Sequence, residues 1–122
     1  MIQFFRSGKT SRNSSPNIRM ALCKEEQWPD LVKSSFDRPV YVFKHSERCG
    51  ISDMVRRRFE NQMSKLGETY YCLQVQSCRS LSKKLELDLG IRHESPQLII
   101  LKDGKVAAHA SHFALLDMPA LK

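Results

Sequence analysis

Val40-Tyr41-Val42-Phe43-Lys44-His45-Ser46-Glu47-Arg48-Cys49-Gly50-Ile51-Ser52 joins an apolar run to a polar, periodic one through a cysteine. Val40 to Lys44 reads as a buried strand. From Gly50 onward, Met54, Val55, Phe59, Met63 and Leu66 recur at helical spacing. That stripe predicts a helix over 50–66, closed by Gly67 as a C-terminal cap. Cys49 therefore stands where a strand ends and a helix begins. Unpaired N–H groups and the positive end of the helix dipole favour an anion at such a point. The thiolate is that anion, and it is the nucleophilic form of cysteine. Arg48 beside it and Lys44 one short loop earlier push the same way. The residue three places on is Ser52, so the pattern is Cys-x-x-Ser, with one thiol where a dithiol motif has two.

Reading outward, Asn17 to Cys23 is a short apolar segment and a candidate first strand. Lys24 to Ser35 carries Trp28, Leu31 and Val32 at helical spacing, with Pro29 near the start, where proline is tolerated. After the central helix, Thr69 to Val75 is β-branched and aromatic, hence a strand. Leu81, Leu85 and Leu89 define a further helix ahead of Gly90. Gln97 to Leu101, the turn Lys102-Asp103-Gly104-Lys105, and Val106 to Ala110 form a hairpin. Phe113 to Leu121 reads as a last short helix. Alternating strands and helices imply parallel pairing, and the hairpin adds antiparallel strands. The fold class is α/β: one mixed central sheet flanked by helices.

Composition bounds the function. A chain of 122 residues, 41% apolar, is one domain that needs no disulfide to hold it together. Nothing approaches the ~20 consecutive apolar residues of a membrane span. The four cysteines, Cys23, Cys49, Cys72 and Cys78, show neither paired metal spacing nor a small-domain disulfide framework. They fit a reducing cytoplasm. Cys72, in a strand-like run, reads as a buried and inert thiol. Cys78 follows the third strand at the same end of the sheet as Cys49. It is a candidate to resolve a Cys49 mixed disulfide, provided the Cα atoms lie within about 7 Å. The histidines, His45, His93, His109 and His112, are scattered over three segments and read as structural or surface groups, so no metal site is expected. A net charge of +7 is compatible with an anionic partner. Arg56-Arg57-Arg58 has no aromatic platform beside it and reads as a solvated helix face, so no nucleic-acid partner is expected. Residues 1–16 form a basic arm ahead of a domain spanning 17–122. Arg6, Lys9, Arg12 and Arg19, with four serines and no acid up to Met20, also carry the composition of a transit peptide, without the long apolar core of a secretory signal.

The order of elements, with a cysteine after the second strand, resembles the thioredoxin fold. So does Gly90-Ile91-Arg92-His93-Glu94-Ser95-Pro96-Gln97-Leu98-Ile99-Ile100-Leu101-Lys102-Asp103-Gly104, in which Pro96 matches that fold's cis-proline. A cis bond there implies that Ser95 offers its N–H and C=O to an extended substrate. The run 43–52, His93-Glu94-Ser95-Pro96-Gln97 and His109-Ala110-Ser111-His112 together resemble the monothiol bacilliredoxins of the bacillithiol system, over Ile18 to the C-terminus. Family members usually carry Pro in place of Gly50 and Trp in place of Phe113. Cys-Gly-Ile-Ser is also similar to the Cys-Gly-Phe-Ser of monothiol glutaredoxins, which can hold an iron–sulfur cluster. The Gly-Gly and acidic residues those proteins place after the hairpin are replaced here by Ala107-Ala108-His109-Ala110.

The resemblance implies a cytoplasmic monothiol thiol–disulfide oxidoreductase. Cys49 is its nucleophile, and bacillithiol or another low-molecular-weight thiol is its co-substrate. Lys44, Arg48, Gly50, Ile51, Ser52, Ser95 and Pro96 surround that thiol. Lys44 reads either as a solvated strand end or as binding a carboxylate of it, and Ser52 either as a first-turn helix residue or as stabilising the Cys49 thiolate with its N–H and hydroxyl. The partners implied are S-thiolated client proteins, and no membrane. Two other readings stand beside it: a glutaredoxin-like cluster carrier, and a non-catalytic module that holds a partner in the Ser95–Pro96 groove or on its basic face.

Overall fold

The computed structural model describes residues 18–122. The basic arm assigned to 1–16, and the domain start at 17, lie outside them. The elements run β1 (Arg19–Ala21), α1 (Gln27–Ser34), β2 (Val40–His45), α2 (Gly50–Leu66), β3 (Tyr70–Gln74), α3 (Arg79–Leu89), β4 (Gln97–Lys102) and β5 (Lys105–Ser111). Two 3-10 turns, His112–Asp117 and Pro119–Leu121, follow in place of the single last helix expected. Pro119 lacks the N–H that would join them. The sheet order is β1-β3-β2-β4-β5. β1, β3 and β2 are parallel, while β4 and β5 run antiparallel to their neighbours.

β2 lies in the middle of the sheet because it is apolar on both faces. Tyr41 and Phe43 face α2, packing with Val55, Phe59, Met63 and Tyr70. Val40 and Val42 face α1 and α3, packing with Trp28, Leu31, Leu81 and Leu85. Each fully buried side chain of this size contributes roughly 1.5–3 kcal/mol. Met54 and Leu66, read as part of the α2 stripe, are instead 43% and 39% exposed. The buried face is the narrower Val55-Phe59-Met63 line. Gly67 ends α2 in the left-handed region at φ 69°, and the Glu68 N–H reaches back 3.0 Å to the Met63 carbonyl. In the β4–β5 hairpin, Asp103 and Gly104 have φ of 54° and 77°, the two positive values of a tight primed turn. The positive φ favours glycine at 104; a Cβ there would also lie 2.7 Å from the tip of the Phe36 ring, which is exposed and free to shift.

The cysteine reading needs correcting. Cys23 and Cys78 form a disulfide, Cα atoms 5.2 Å apart across a 55-residue separation, and only Cys49 and Cys72 are free. β1 and β3 are adjacent and parallel, so the segments after them leave the sheet side by side. Sequence spacing alone did not reveal this pairing of distant residues. Closing a loop of that length lowers unfolded-state entropy, a stabilisation of about 2–4 kcal/mol. Cys23→Ser should lower the unfolding free energy by that amount, with an earlier urea midpoint, in non-reducing buffer. An unchanged midpoint would show that the bond adds nothing to stability.

Candidate functional site

Cys49 is the N-cap of the 17-residue helix α2, in extended backbone with φ −120° and ψ 114°. Its N–H donates to the Ser46 carbonyl at 3.3 Å, and its carbonyl accepts the Asp53 N–H at 3.2 Å. The first-turn N–H groups of α2 therefore stand beside a half-buried thiol with no side-chain cap competing for them. Gly50 and Ile51 follow, both exposed, Ile51 at 49%. A Cβ on Gly50 would meet nothing within 4 Å, so space does not demand glycine there. Arg48 is exposed at the outer edge of the loop.

Ser52 is fully buried, and its hydroxyl braces the loop ahead of Cys49. It accepts the Ser46 N–H at 3.0 Å and lies 2.9 Å from His45 Nδ1. With one donor already pointing at the oxygen, the hydroxyl proton is free for Nδ1 of a neutral imidazole. Burial, then the charge of Arg56, holds the His45 pKa below its ordinary value. Of the two readings of Ser52, the one that offers its hydroxyl to the Cys49 thiolate does not match its hydrogen bonds, whose partners are His45 and Ser46.

Lys44 departs furthest from expectation. Read as a solvated strand end or a carboxylate ligand, it is 0% exposed. The strand pleat turns it toward α3, where its ammonium donates to the Ser82 carbonyl and to His93 Nδ1, each at 3.3 Å. The His93 N–H donates to Glu86 at 2.8 Å. Burial lowers the Lys44 pKa from 10.5 to about 8, with Glu86 opposing the shift. The unfolded chain keeps this proton up to about pH 10.5, so between pH 8 and 10.5 it binds more protons than the folded protein. The stability contribution of Lys44 must therefore rise with pH across that window and be flat on either side. Denaturation at pH 7.5 and pH 10 should show a relative gain in the native chain of about 2 kcal/mol over Lys44→Met. Parallel profiles for the two proteins would remove the buried charge from the account.

Above this group opens a cavity of about 560 Å³, lined by Gln76, Arg79, Ser82, Lys83, His93 and Ser95 among others. Arg79 and Lys83 are the cations on its wall, and Lys44 lies beneath Ser82 and His93. β4 runs antiparallel to β2, with Gln97 opposite Lys44. The segment just before β4 therefore sits at the end of the sheet where β2 hands over to Cys49. The Ser95–Pro96 peptide in that segment is cis. The Pro96 carbonyl accepts the His112 N–H at 2.9 Å, and Gln97, 2% exposed, ties the loop by donating to the Arg92 carbonyl at 3.0 Å. Among the described residues, neither backbone group of half-buried Ser95 has a backbone partner.

The basic run on α2 is not a uniform solvated face. Arg56 is nearly enclosed and pairs with Asp53 at 3.0 Å and Glu60 at 3.1 Å, while Arg57 stays exposed. The Tyr70 hydroxyl also donates to Glu60. Burial raises the Cys72 thiol to about 11, which leaves it unreactive near neutral pH. Among the described residues, no three His, Cys, Asp or Glu side chains cluster as a metal set. No helix there is long and apolar enough to cross a membrane.

The sequence model of the family Monothiol bacilliredoxin BrxC matches residues 20–117. The chain belongs to this family. Among solved structures, a thioredoxin-fold protein proposed as an oxidoreductase is 27% identical, covering 79% of this chain and 84% of that one at a TM-score of 0.73. Spinach chloroplast thioredoxin f, short form, is 23% identical, covering 86% and 94% at 0.65. Thioredoxin from Trypanosoma brucei brucei is 16% identical, covering 84% of each chain at 0.66. The last two show the thioredoxin-like fold alone. Membership of the bacilliredoxins on this fold supports a thiol oxidoreductase. Within the bacilliredoxin match lie Lys44, Arg48, Cys49, Ser52, Ser95 and Pro96. Gln76, Gln97 and the Cys23–Cys78 bond are the neighbours that sequence reading missed. No local pattern marks Gln76 or the disulfide, because each acts on a segment remote in the chain, whereas Gln97 ties Arg92 and Glu94 just ahead of it.

Proposed function

We propose that this bacilliredoxin is a monothiol thiol–disulfide oxidoreductase that removes bacillithiol, or a similar low-molecular-weight thiol, from S-thiolated client proteins in the cytoplasm. One observation carries the reading: Cys49 is a half-buried thiol at a helix N-terminus, with no second free thiol beside it. Ser52 replaces the partner of a dithiol site, Cys78 is bonded to Cys23, and Cys72 is buried in the core.

The Cys49 thiolate attacks the sulfur of the small thiol in the client's mixed disulfide. The bond to the client breaks, and the client sulfur leaves with the electron pair and takes a proton. A second small thiol then attacks the Cys49 adduct and frees Cys49 as a disulfide of two small thiols departs. Without an internal thiol, Cys49 has no means of expelling a bound client, which suits it to dethiolation. Ser95 would align the incoming chain through its unpartnered backbone groups. Arg79 and Lys83, rather than Lys44, would meet the carboxylates of an acidic thiol in the cavity beside it.

Transfer is the direct test. Enzyme mixed with a bacillithiolated client should carry the bacillithiol mass on the Cys49 peptide as the client thiol returns. A glutathionylated client should react more slowly. Absence of any Cys49 adduct would end the enzymatic reading, and equal rates would end the preference for bacillithiol.

A further inference from the structure

Cys49 is not the only sulfur at this end of the sheet. β1, β3 and β2 are parallel, so Cys23, Cys78 and Cys49 all follow the C-terminal ends of their strands. Cys78 is the N-cap of the 11-residue helix α3, as Cys49 is of α2. The two halves of the disulfide differ. Cys23 is exposed, whereas Cys78 is 7% exposed. Exchange requires access to one sulfur and a good leaving thiolate on the other. Cys23 supplies the access. Cys78, beside the unpaired first-turn N–H groups of α3 and next to Arg79, supplies the leaving group.

The segment ahead of Cys78 is tied to the loop that carries Cys49. Gln76 accepts the Glu47 N–H at 3.1 Å and donates to Ser46 Oγ at 2.7 Å. The Ser77 hydroxyl donates to the Glu47 carboxylate at 3.1 Å. In a reducing compartment, the one proposed above, a disulfide is more often redox-active than structural.

We propose that Cys23–Cys78 is a second redox site, opened at Cys23 by a low-molecular-weight thiol, and that opening it loosens Gln76 and Ser77 from the Cys49 loop. The incoming thiolate bonds to Cys23 Sγ as the Cys23–Cys78 bond breaks. The electron pair leaves on Cys78 Sγ, which takes a proton. A second thiol attacks the adduct, its proton passes to Cys23, and the disulfide of two small thiols departs. Two small thiols are oxidised and one protein disulfide is reduced.

The test uses the oxidised full chain and excess reduced glutathione in native buffer, with an acid quench and peptide mass spectrometry. A transient glutathione adduct is expected on Cys23, with Cys78 appearing as a free thiol. A bond that opens only in denaturant, or an adduct on Cys78, would overturn the site and leave the Cys49 transfer reaction untouched. Pulsed iodoacetamide labelling of Cys49 reads the coupling. Labelling should be about fivefold faster in the reduced protein, roughly the ratio that one lost hydrogen bond releases. Gln76→Ala should reproduce that gain in the oxidised protein. Equal labelling of the oxidised and reduced forms, or no gain in Gln76→Ala, would sever the link to Cys49.

Discussion

Cys49→Ser should abolish dethiolation of a bacillithiolated client, with a loss of at least about a thousandfold in turnover. A hydroxyl at the N-cap keeps the helix start intact, since serine is a favoured N-cap residue. The fold should therefore survive while the chemistry does not. Serine oxygen does not exchange with a disulfide, and while Cys23 and Cys78 are bonded to each other no other free sulfur is placed to substitute. Cys72 is 5% exposed, with its thiol pushed up to about 11 by burial. Cys72→Ser should accordingly leave turnover nearly intact. The measurement is release of the small thiol from a labelled client, with circular dichroism to show that each variant is folded. A Cys49→Ser protein that keeps most of its turnover would move the reaction to another residue and favour a binding-module role for the Cys49 loop.

Phe59→Ala should be the most destabilising single truncation on the α2 face, at about 3–5 kcal/mol. Phe59 is 0% exposed, stacked at 5.0 Å on Phe43 and edge-on at 4.9 Å to Tyr70. It is the contact that fixes α2, and with it the Cys49 N-cap, onto the central strand. Removing the ring loses both its burial and the aromatic pairs, and the close-packed neighbours refill the space only partly. Denaturant midpoints should show the loss, while Leu87→Ala, at a side chain 73% exposed on α3, should move stability by no more than about 0.5 kcal/mol. A Phe59→Ala cost below about 1.5 kcal/mol would mean that α2 is held chiefly by other contacts.

Much of the frame was legible before any coordinates. The helix read from Gly50 to Leu66 has those bounds in the structure, because a sustained apolar period and a glycine cap are both local signals. The hairpin was equally plain, because the turn Asp103-Gly104 demands positive φ. Among the described residues, the first strand ends at Ala21 rather than at Cys23, and the first helix spans Gln27–Ser34 rather than 24–35. A three-residue edge strand, exposed throughout, carries little pattern, and after Leu22 the chain turns on the Gln27 side chain, which accepts the Cys23 and Lys24 N–H groups.

The sequence by itself determined the α/β class, the strand-to-helix junction at Cys49, the single thiol of Cys-x-x-Ser and the family. All of these rest on residues that are neighbours in the chain or share one helix or strand period. Only the tertiary structure decided the fate of Lys44, the partners of Ser52 and the bond between Cys23 and Cys78. A lysine at a strand end looks solvated until the helix that covers it is known, and α3 encloses Lys44 against Ser82 and His93. A cysteine looks free until a parallel strand brings a second one to within 5.2 Å of its Cα. Burial and contact between remote segments arise from packing, and no local propensity encodes them.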